Sequence, residues 1–396
     1  MRRQKMKNSF LEKITRRDFL KSTAELCFKI GLSSIFLYSC KPDASRDRTT
    51  TPAKEPSINK TTTPVKKPSI SKTTTPVKKP GITGSDFEPA YLKLHKTGEL
   101  EKRAEKLWAI MERCQLCPRR CGVNRLEGMS GFCGAPGATL VVSAFHPHFG
   151  EERPLVGNGG SGTIFLAHCN LRCVFCQNWE ISQLGRGSER NIDELAAMML
   201  LLQEFGCHNI NLVTPTHYSA PILKALDIAA ETGLRLPIVY NTSGWERLEI
   251  LKLLDGIVDI YLPDFKYWDS DMSAKYSSGA ESYPEITREA ILEMHRQVGV
   301  AKPAQDGIMQ RGLMIRHLVM PNNAGGSEEI MEWIAENLPK DTYVNIMAQY
   351  NPVYKAYDYP EISRRITSEE YEKVVKRAQE MGLTNLDIQG YWWLQK

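Results

Sequence analysis

At 396 residues the chain has length for one domain of about 200–250 residues with appendages, and it can bury a sizeable core. With 42% hydrophobic and 24% charged residues it has an ordinary globular composition, and no aromatic or single-sign charge excess points to nucleic acid. The formal charge of +5 rests largely on Lys and Arg of the first 80 residues, outside the segment patterned as folded, so the folded part is expected to be near neutral or acidic.

Residues 1–40 read as an export signal. A basic start leads into Thr15-Arg16-Arg17-Asp18-Phe19-Leu20-Lys21, a twin-arginine-like pattern, and then into the mainly apolar run Leu26 to Ser39. That run is too short to span a bilayer, and Lys29 interrupts it. Leu37-Tyr38-Ser39-Cys40 resembles a lipobox, so Cys40 is expected to be lipidated and to anchor the chain outside the cytoplasmic membrane; a retained cytoplasmic protein is the alternative. Residues 41–85 form a linker in which TTTPAKEPSINK, TTTPVKKPSISK and TTTPVKKPG repeat. Rich in Pro, Thr and Lys and without apolar periodicity, this segment predicts a disordered tether.

Residues 86–156 form a cysteine-rich module, with a helix predicted around Leu100 to Arg113. Of ten cysteines, seven fall between Cys114 and Cys176, which reads as metal ligation more readily than as a disulfide framework. Cys114-x2-Cys117-x3-Cys121 followed by Cys133 offers four ligands, enough for a closed Zn²⁺ or iron–sulfur site; a disulfide pair is the alternative. Cys207 reads as a core thiol and Cys27 as part of the signal.

From residue 157 to 396 strands and helices alternate. After a possible hairpin at Thr139 to Phe145, apolar runs at Thr163–Ala167, Ile210–Val213, Ile238–Tyr240, Ile257–Leu262, Leu313–Met320 and Val344–Met347 predict buried parallel strands, with Leu386–Ile388 as a final one. Helices are predicted at Asp193–Phe205, Trp245–Leu254, Ser327–Leu338 and Ser368–Met381, each closed by Gly or Pro. The pattern is that of an α/β protein, a partial (β/α)6 TIM-like barrel. Tyr391-Trp392-Trp393 is expected to pack on it.

After the first barrel strand comes His168-Cys169-Asn170-Leu171-Arg172-Cys173-Val174-Phe175-Cys176. Three thiolates at this spacing can hold three irons of a cubane and leave the fourth open, whereas an electron-transfer cluster usually has four cysteines. Loops at the C-terminal ends of barrel strands are also where such folds place their chemistry. A zinc site completed by His168, or three reduced core thiols, are the alternatives.

These residues resemble the radical S-adenosylmethionine (SAM) superfamily, and from roughly Cys114 onward the chain is similar to uncharacterised relatives of pyruvate formate-lyase activating enzyme. The resemblance implies a [4Fe-4S] cluster on Cys169, Cys173 and Cys176 whose open iron chelates SAM. One electron then splits SAM, and the 5′-deoxyadenosyl radical takes a hydrogen from the substrate. It places Phe175 near the adenine. It also implies that Gly160–Leu166, Val213–Tyr218, Asp264-Phe265-Lys266, Ile315–Pro321 and Met347–Tyr350 surround SAM. Thr214, Thr216 and His217 stand where activating enzymes carry Gly-Gly-Glu-Pro. No carboxylate occurs in that turn, so hydroxyls or backbone carbonyls must receive the SAM amino group. Asn241, Asp264, Lys266, Arg316 and His317 are candidate contacts to ribose, carboxylate or substrate. The implied function is activation of a glycyl-radical-type protein partner, with a flavodoxin or ferredoxin as reductant; modification of a peptide or small molecule, or a non-enzymatic iron–sulfur carrier or sensor, are the alternatives.

Overall fold

Seven apolar segments, each ending where a loop begins to carry polar residues, build the parallel sheet that organises this chain. The structure, a computed structural model, describes residues 87–389; the export-type signal with Cys27 and Cys40, the repeat tether and Tyr391-Trp392-Trp393 lie outside them. The strands are β1 (Leu140–His148), β2 (Ser161–Leu166), β3 (Ser188–Arg190), β4 (Ile210–Val213), β5 (Ile238–Thr242), β6 (Ile260–Pro263), β7 (Lys302–Pro303), β8 (Met309–Leu318), β9 (Tyr343–Met347) and β10 (Leu386–Ile388). Their order is β10-β9-β8-β6-β5-β4-β2-β1-β3, and the run from β2 to β10 is parallel throughout. β10 and β2 are not neighbours in that order, so the parallel set is an open, partial barrel.

The expected hairpin at Thr139 to Phe145 takes another form. β1 runs to His148 and pairs antiparallel with β2 on one side and β3 on the other. The cysteine-rich module therefore donates a strand to the barrel's own sheet, and residues 87–389 fall within one compact unit.

Most helices follow their caps. Asn191 with Glu194 and Thr367 with Glu370 form capping boxes that start Ile192–Glu204 and Ser368–Glu380. The helix expected from Trp245 starts only at Leu248, because Gly244 turns with φ 83° and the Glu246 carboxylate accepts from Thr216 and Thr242 instead of pointing along a helix. On the inner face, Val239, Ile260, Leu262, Met314 and Tyr343 pack with Leu155, which plugs the N-terminal end of the barrel. Each such side chain contributes roughly 1.5–3 kcal/mol on burial. Further along those strands the inner residues turn polar: Asn241 two residues after Val239, Arg316 after Met314 and Asn345 after Tyr343. That change, apolar at one end and polar at the other, fixes which end is the mouth.

Candidate active site

The loop after β2 is strained in a way ordinary loops are not. His168 and Arg172 hold φ of 70° and 56°, and Thr214 at the end of β4 holds 60°. Positive φ is costly for residues with a Cβ, most of all for a β-branched threonine, and such positions gather at functional sites. The result is a tight turn that buries the Cys169, Cys173 and Cys176 sulfurs beside one another. The Leu171 amide donates to Cys169 Sγ at 3.4 Å, Ser277 Oγ donates to Cys173 Sγ at 3.1 Å, and Cys176 Sγ lies 3.2 Å from Ser182 Oγ. Tyr267 contacts Ser277 Oγ at 2.8 Å from behind, and Phe175 packs edge-on to Tyr267 and beside Tyr350.

Burial pushes all three thiols up, Cys169 to about 11, while the Lys266 ammonium opposes the shift at each. Left to themselves they stay protonated; an iron ligand must be the thiolate, which bound metal enforces. Hydroxyl and amide donors at each sulfur, with a cation facing them, suit three thiolates on a cluster. His168, the alternative fourth ligand of a zinc site, is tightly packed. Its ring is wedged between Gly134 and Gly185, where an added Cβ would stand 3.1 Å and 2.5 Å from ring atoms.

At the mouth, Asp264 lies between two cations: Arg316 Nε donates at 2.7 Å and Lys266 Nζ at 2.5 Å. Burial works against the Asp264 charge, yet Arg316 and Lys266 hold its carboxyl below the usual range. Arg316 Nη2 also donates to Asn241 Oδ1 at 2.6 Å, and its Nη1 faces Glu151 and Glu152 at 3.7 and 3.9 Å. Asn345 Nδ2 donates to Glu152 at 3.0 Å. Burial raises the Glu151 carboxyl to about 7. A polar cavity of about 280 Å³ opens here, lined by Glu151, Glu152, Arg316, Asn345, Asp387 and Gln389 among others.

Of the residues read as candidate SAM or substrate contacts, Asn241, Asp264, Lys266 and Arg316 thus form one network. Thr214 stays at the strand end. Thr216, His217 and His317 are committed elsewhere. Thr216 Oγ1 donates to Glu246 at 2.5 Å, His217 Nε2 donates to the Ala167 carbonyl at 2.9 Å, and His317 bridges the Phe265 carbonyl and Ser327 Oγ at 2.6 and 2.8 Å. Burial lowers the two histidines to about 3 and about 4, so both are neutral. The sequence reading passed over Glu151, Glu152, Ser182 and Ser277; only the adjacent acid pair before Arg153-Pro154 carried any local signal.

The four earlier cysteines meet in a knuckle beside the cluster loop. Cys114, Cys117 and Cys133 are buried, Cys121 is half-buried, and all are free thiols. Their charges act on one another: Cys117 is raised by burial first and then by Cys133, Cys114 and Cys121. The Phe132 amide donates to Cys121 Sγ at 3.3 Å, and Arg125 Nη1 approaches Cys114 Sγ at 4.0 Å. Arg125 is 1% exposed and, among the described residues, has no carboxylate partner. Leaving a buried ion without counter-charge costs several kcal/mol. Arg119 joins knuckle to loop. Its Nε donates to the Asn170 carbonyl at 2.9 Å, Nη1 and Nη2 donate to those of Ser278 and Ser277 at 2.8 and 3.0 Å, and the guanidinium sits 4.0 Å from the Phe132 ring centre.

The family profile of the Radical SAM superfamily matches residues 163–302. An uncharacterized protein of Methanocaldococcus jannaschii is 35% identical over 307 residues, spanning 75% of this chain and 82% of that protein. A second uncharacterized protein of the same organism is 26% identical over 301 residues, spanning 68% of this chain and 82% of its own length. The crystal structure of a radical SAM methyltransferase from Sphaerobacter thermophilus aligns with a TM-score of 0.40 at 16% identity, covering 57% of this chain and 65% of that one.

Proposed function

The chain belongs to the radical SAM superfamily, and on that premise we propose that it abstracts hydrogen from a glycyl-radical-type protein partner. As a superfamily enzyme it uses a [4Fe-4S] cluster and SAM. The observation that carries the reading is the strained loop that presents three free thiols, Cys173 buried and Cys169 and Cys176 half-buried, at the C-terminal end of the first parallel strand. When bound, the cluster supplies the electron that splits SAM into methionine and a 5′-deoxyadenosyl radical. The protein's own part is placement. Ser277 and Ser182 orient two sulfurs, Lys266 supplies positive charge, and Asn241, Asp264 and Arg316 offer donors and acceptors at the mouth. A partial barrel left open between β10 and β2 supports entry of a polypeptide loop.

A small polar substrate is the second reading, favoured by the cavity of about 280 Å³ beside Glu151, Glu152 and Arg316. Anaerobic reconstitution with deuterated SAM separates the two: label exchange into a co-purified protein supports the first, and into a metabolite fraction the second. Failure to form methionine and 5′-deoxyadenosine under strong reduction sinks both. The knuckle we read as a second, closed metal centre, zinc or iron–sulfur. The N-terminal segment we read as directing the folded enzyme to the outer side of the cytoplasmic membrane, anchored at Cys40, with a flavodoxin- or ferredoxin-class donor as reductant.

A further inference from the structure

We propose that the cavity beside Glu151, Glu152 and Arg316 is a cation subsite that takes the primary ammonium group of a small amine substrate. The proposal rests on the small-substrate reading above and goes further by naming the chemical class.

Placement makes the first argument. β1 runs antiparallel to β2 with His148 opposite Ser161, so the loop that follows β1 starts at the end of β2 away from Cys169. The short helix Arg153–Val156 then seats Leu155 among Val239, Ile260 and Met314. Asn209 Nδ2 donates to the Leu155 carbonyl at 2.8 Å and fixes that turn. Glu152, the residue before the helix, is thereby held 3.9 Å from Arg316 Nη1 with 6% of its surface exposed. A carboxylate so placed belongs to the barrel floor and not to the cluster loop.

Hydrogen bonding makes the second. Glu152 Oε1 accepts from Asn345 Nδ2 at 3.0 Å, which points the Asn345 carbonyl oxygen away from that contact. Among the described residues Glu152 Oε2 and Asn345 Oδ1 have no hydrogen-bond partner, and both residues are buried and line the cavity. Both atoms can only accept. Buried acceptors are rarely left unpaired, and an ammonium brings three donors and no acceptor. A carboxylate or phosphate would set acceptors against acceptors.

Charge agrees. Along the cavity wall Glu151, Glu152 and Asp387 outnumber Arg153 and Arg316. Arg316 makes its close contacts with Asp264 and Asn241, at 2.7 and 2.6 Å, and stands 3.7 and 3.9 Å from the acid pair. Burial raises the Glu151 carboxyl although Arg316 opposes it, so Arg316 alone does not neutralise the pair. One added positive charge balances the set. The cavity volume of about 280 Å³ stands at the lower edge of small-molecule sites, roughly 300–1,000 Å³, which limits the ligand to a short chain.

The test measures the melting temperature of the reconstituted full chain, with and without SAM, against ethanolamine, ethylene glycol and glycolate at fixed ionic strength. These probes share a two-carbon frame and differ in charge. A ligand of the folded state raises the melting temperature by mass action. Only ethanolamine is expected to raise it saturably, and Glu152→Gln is expected to weaken that binding on the order of tenfold or more. Glu151→Gln, which leaves the Glu152–Asn345 contact in place, is expected to act in the same direction and carries the test if Glu152→Gln does not fold. An equal shift by ethylene glycol or glycolate, or an ethanolamine shift unchanged in both variants, would overturn the proposal. A shift seen only with a lysine peptide of blocked termini would overturn it as well, because the cation would then belong to a polypeptide. So would a shift that disappears when SAM is added, which would place the ammonium in the SAM site. Formation of methionine and 5′-deoxyadenosine is read separately, so loss of this subsite and loss of the radical reading are distinguishable.

Discussion

At the scale of single residues, the three barrel cysteines do different structural work, and their removal is predicted to separate function from folding. Cys173 accepts from Ser277 and Cys176 contacts Ser182, whereas the Leu171 amide is Cys169's donor. None belongs to the apolar cluster that plugs the barrel. Any one of Cys169→Ala, Cys173→Ala or Cys176→Ala should therefore bring SAM cleavage to background with the far-ultraviolet spectrum unchanged; cleavage at the wild-type rate in the triple variant would remove the assignment. Glu246 is a different kind of residue. It is fully buried, accepts from Thr216 and Thr242, and its other oxygen has no partner. Burial first of all raises its carboxyl to about 7, although both threonine hydroxyls pull the other way. Between the unfolded value of about 4.3 and the folded one, the folded chain holds a proton the unfolded chain has released. This contribution to stability is therefore full below about pH 4.3 and is lost as pH rises through about 7. Glu246→Gln, which cannot ionise, should gain on wild type by roughly 2–3 kcal/mol between pH 5 and pH 8. Denaturant melts at the two pH values measure it, and parallel curves would show that Glu246 stays charged.

At the scale of elements, the legible and the illegible parts differ in where their information sits. β4 and β10 match their apolar runs residue for residue, and β2, β5 and β9 differ by a few positions at the ends. Buried parallel strands write themselves as apolar runs, so sequence suffices. The helices Ser219–Thr232 and Tyr283–Val298 were not singled out, since neither has a side-chain cap and each carries a proline within its first three residues. The cluster loop was legible from spacing alone. Its supports were not: Ser277 and Arg119 reach it from 104 and 51 positions away, and such partners leave no local pattern. Arg119 supplies a test of how the elements are coupled. Arg119→Met keeps the stacking bulk against Phe132 but removes the donors to Asn170, Ser277 and Ser278. Charged hydrogen bonds of this kind contribute roughly 1.5–3 kcal/mol before allowance for solvent at a half-exposed group. Amide exchange across 168–176 and 276–279 should accelerate on the order of tenfold, which corresponds to about 1.4 kcal/mol. Unchanged exchange there would mean that the knuckle does not brace the loop.

At the scale of the whole molecule, the proposed export reading raises a question of order for an iron–sulfur enzyme: folding and cluster insertion would have to precede transport. The sequence answers it consistently. Arg16-Arg17 resembles the route that carries folded cargo, and a cluster assembled in the cytoplasm needs such a route. On the proposed export reading Cys40 would anchor the chain, and the repeat from Thr49 to Gly81, at roughly 3 Å per residue if extended, would reach on the order of 100 Å. Among the described residues no helix is long and apolar enough to cross a membrane. SAM and low-potential reductants are cytoplasmic, and an exported enzyme works only if both reach it. The deciding measurement is fractionation of cells expressing wild type and the pair Arg16→Lys with Arg17→Lys, followed by protease treatment of intact spheroplasts. Wild type is expected in the membrane fraction, with its head digested and its N-terminus beginning at a lipidated Cys40; the double-lysine variant is expected to stay protected. A wild-type head that is protected, in the supernatant and still carrying Met1 would end the exported reading and place the enzyme beside its cofactor supply, while leaving the assignment of Cys169, Cys173 and Cys176 untouched.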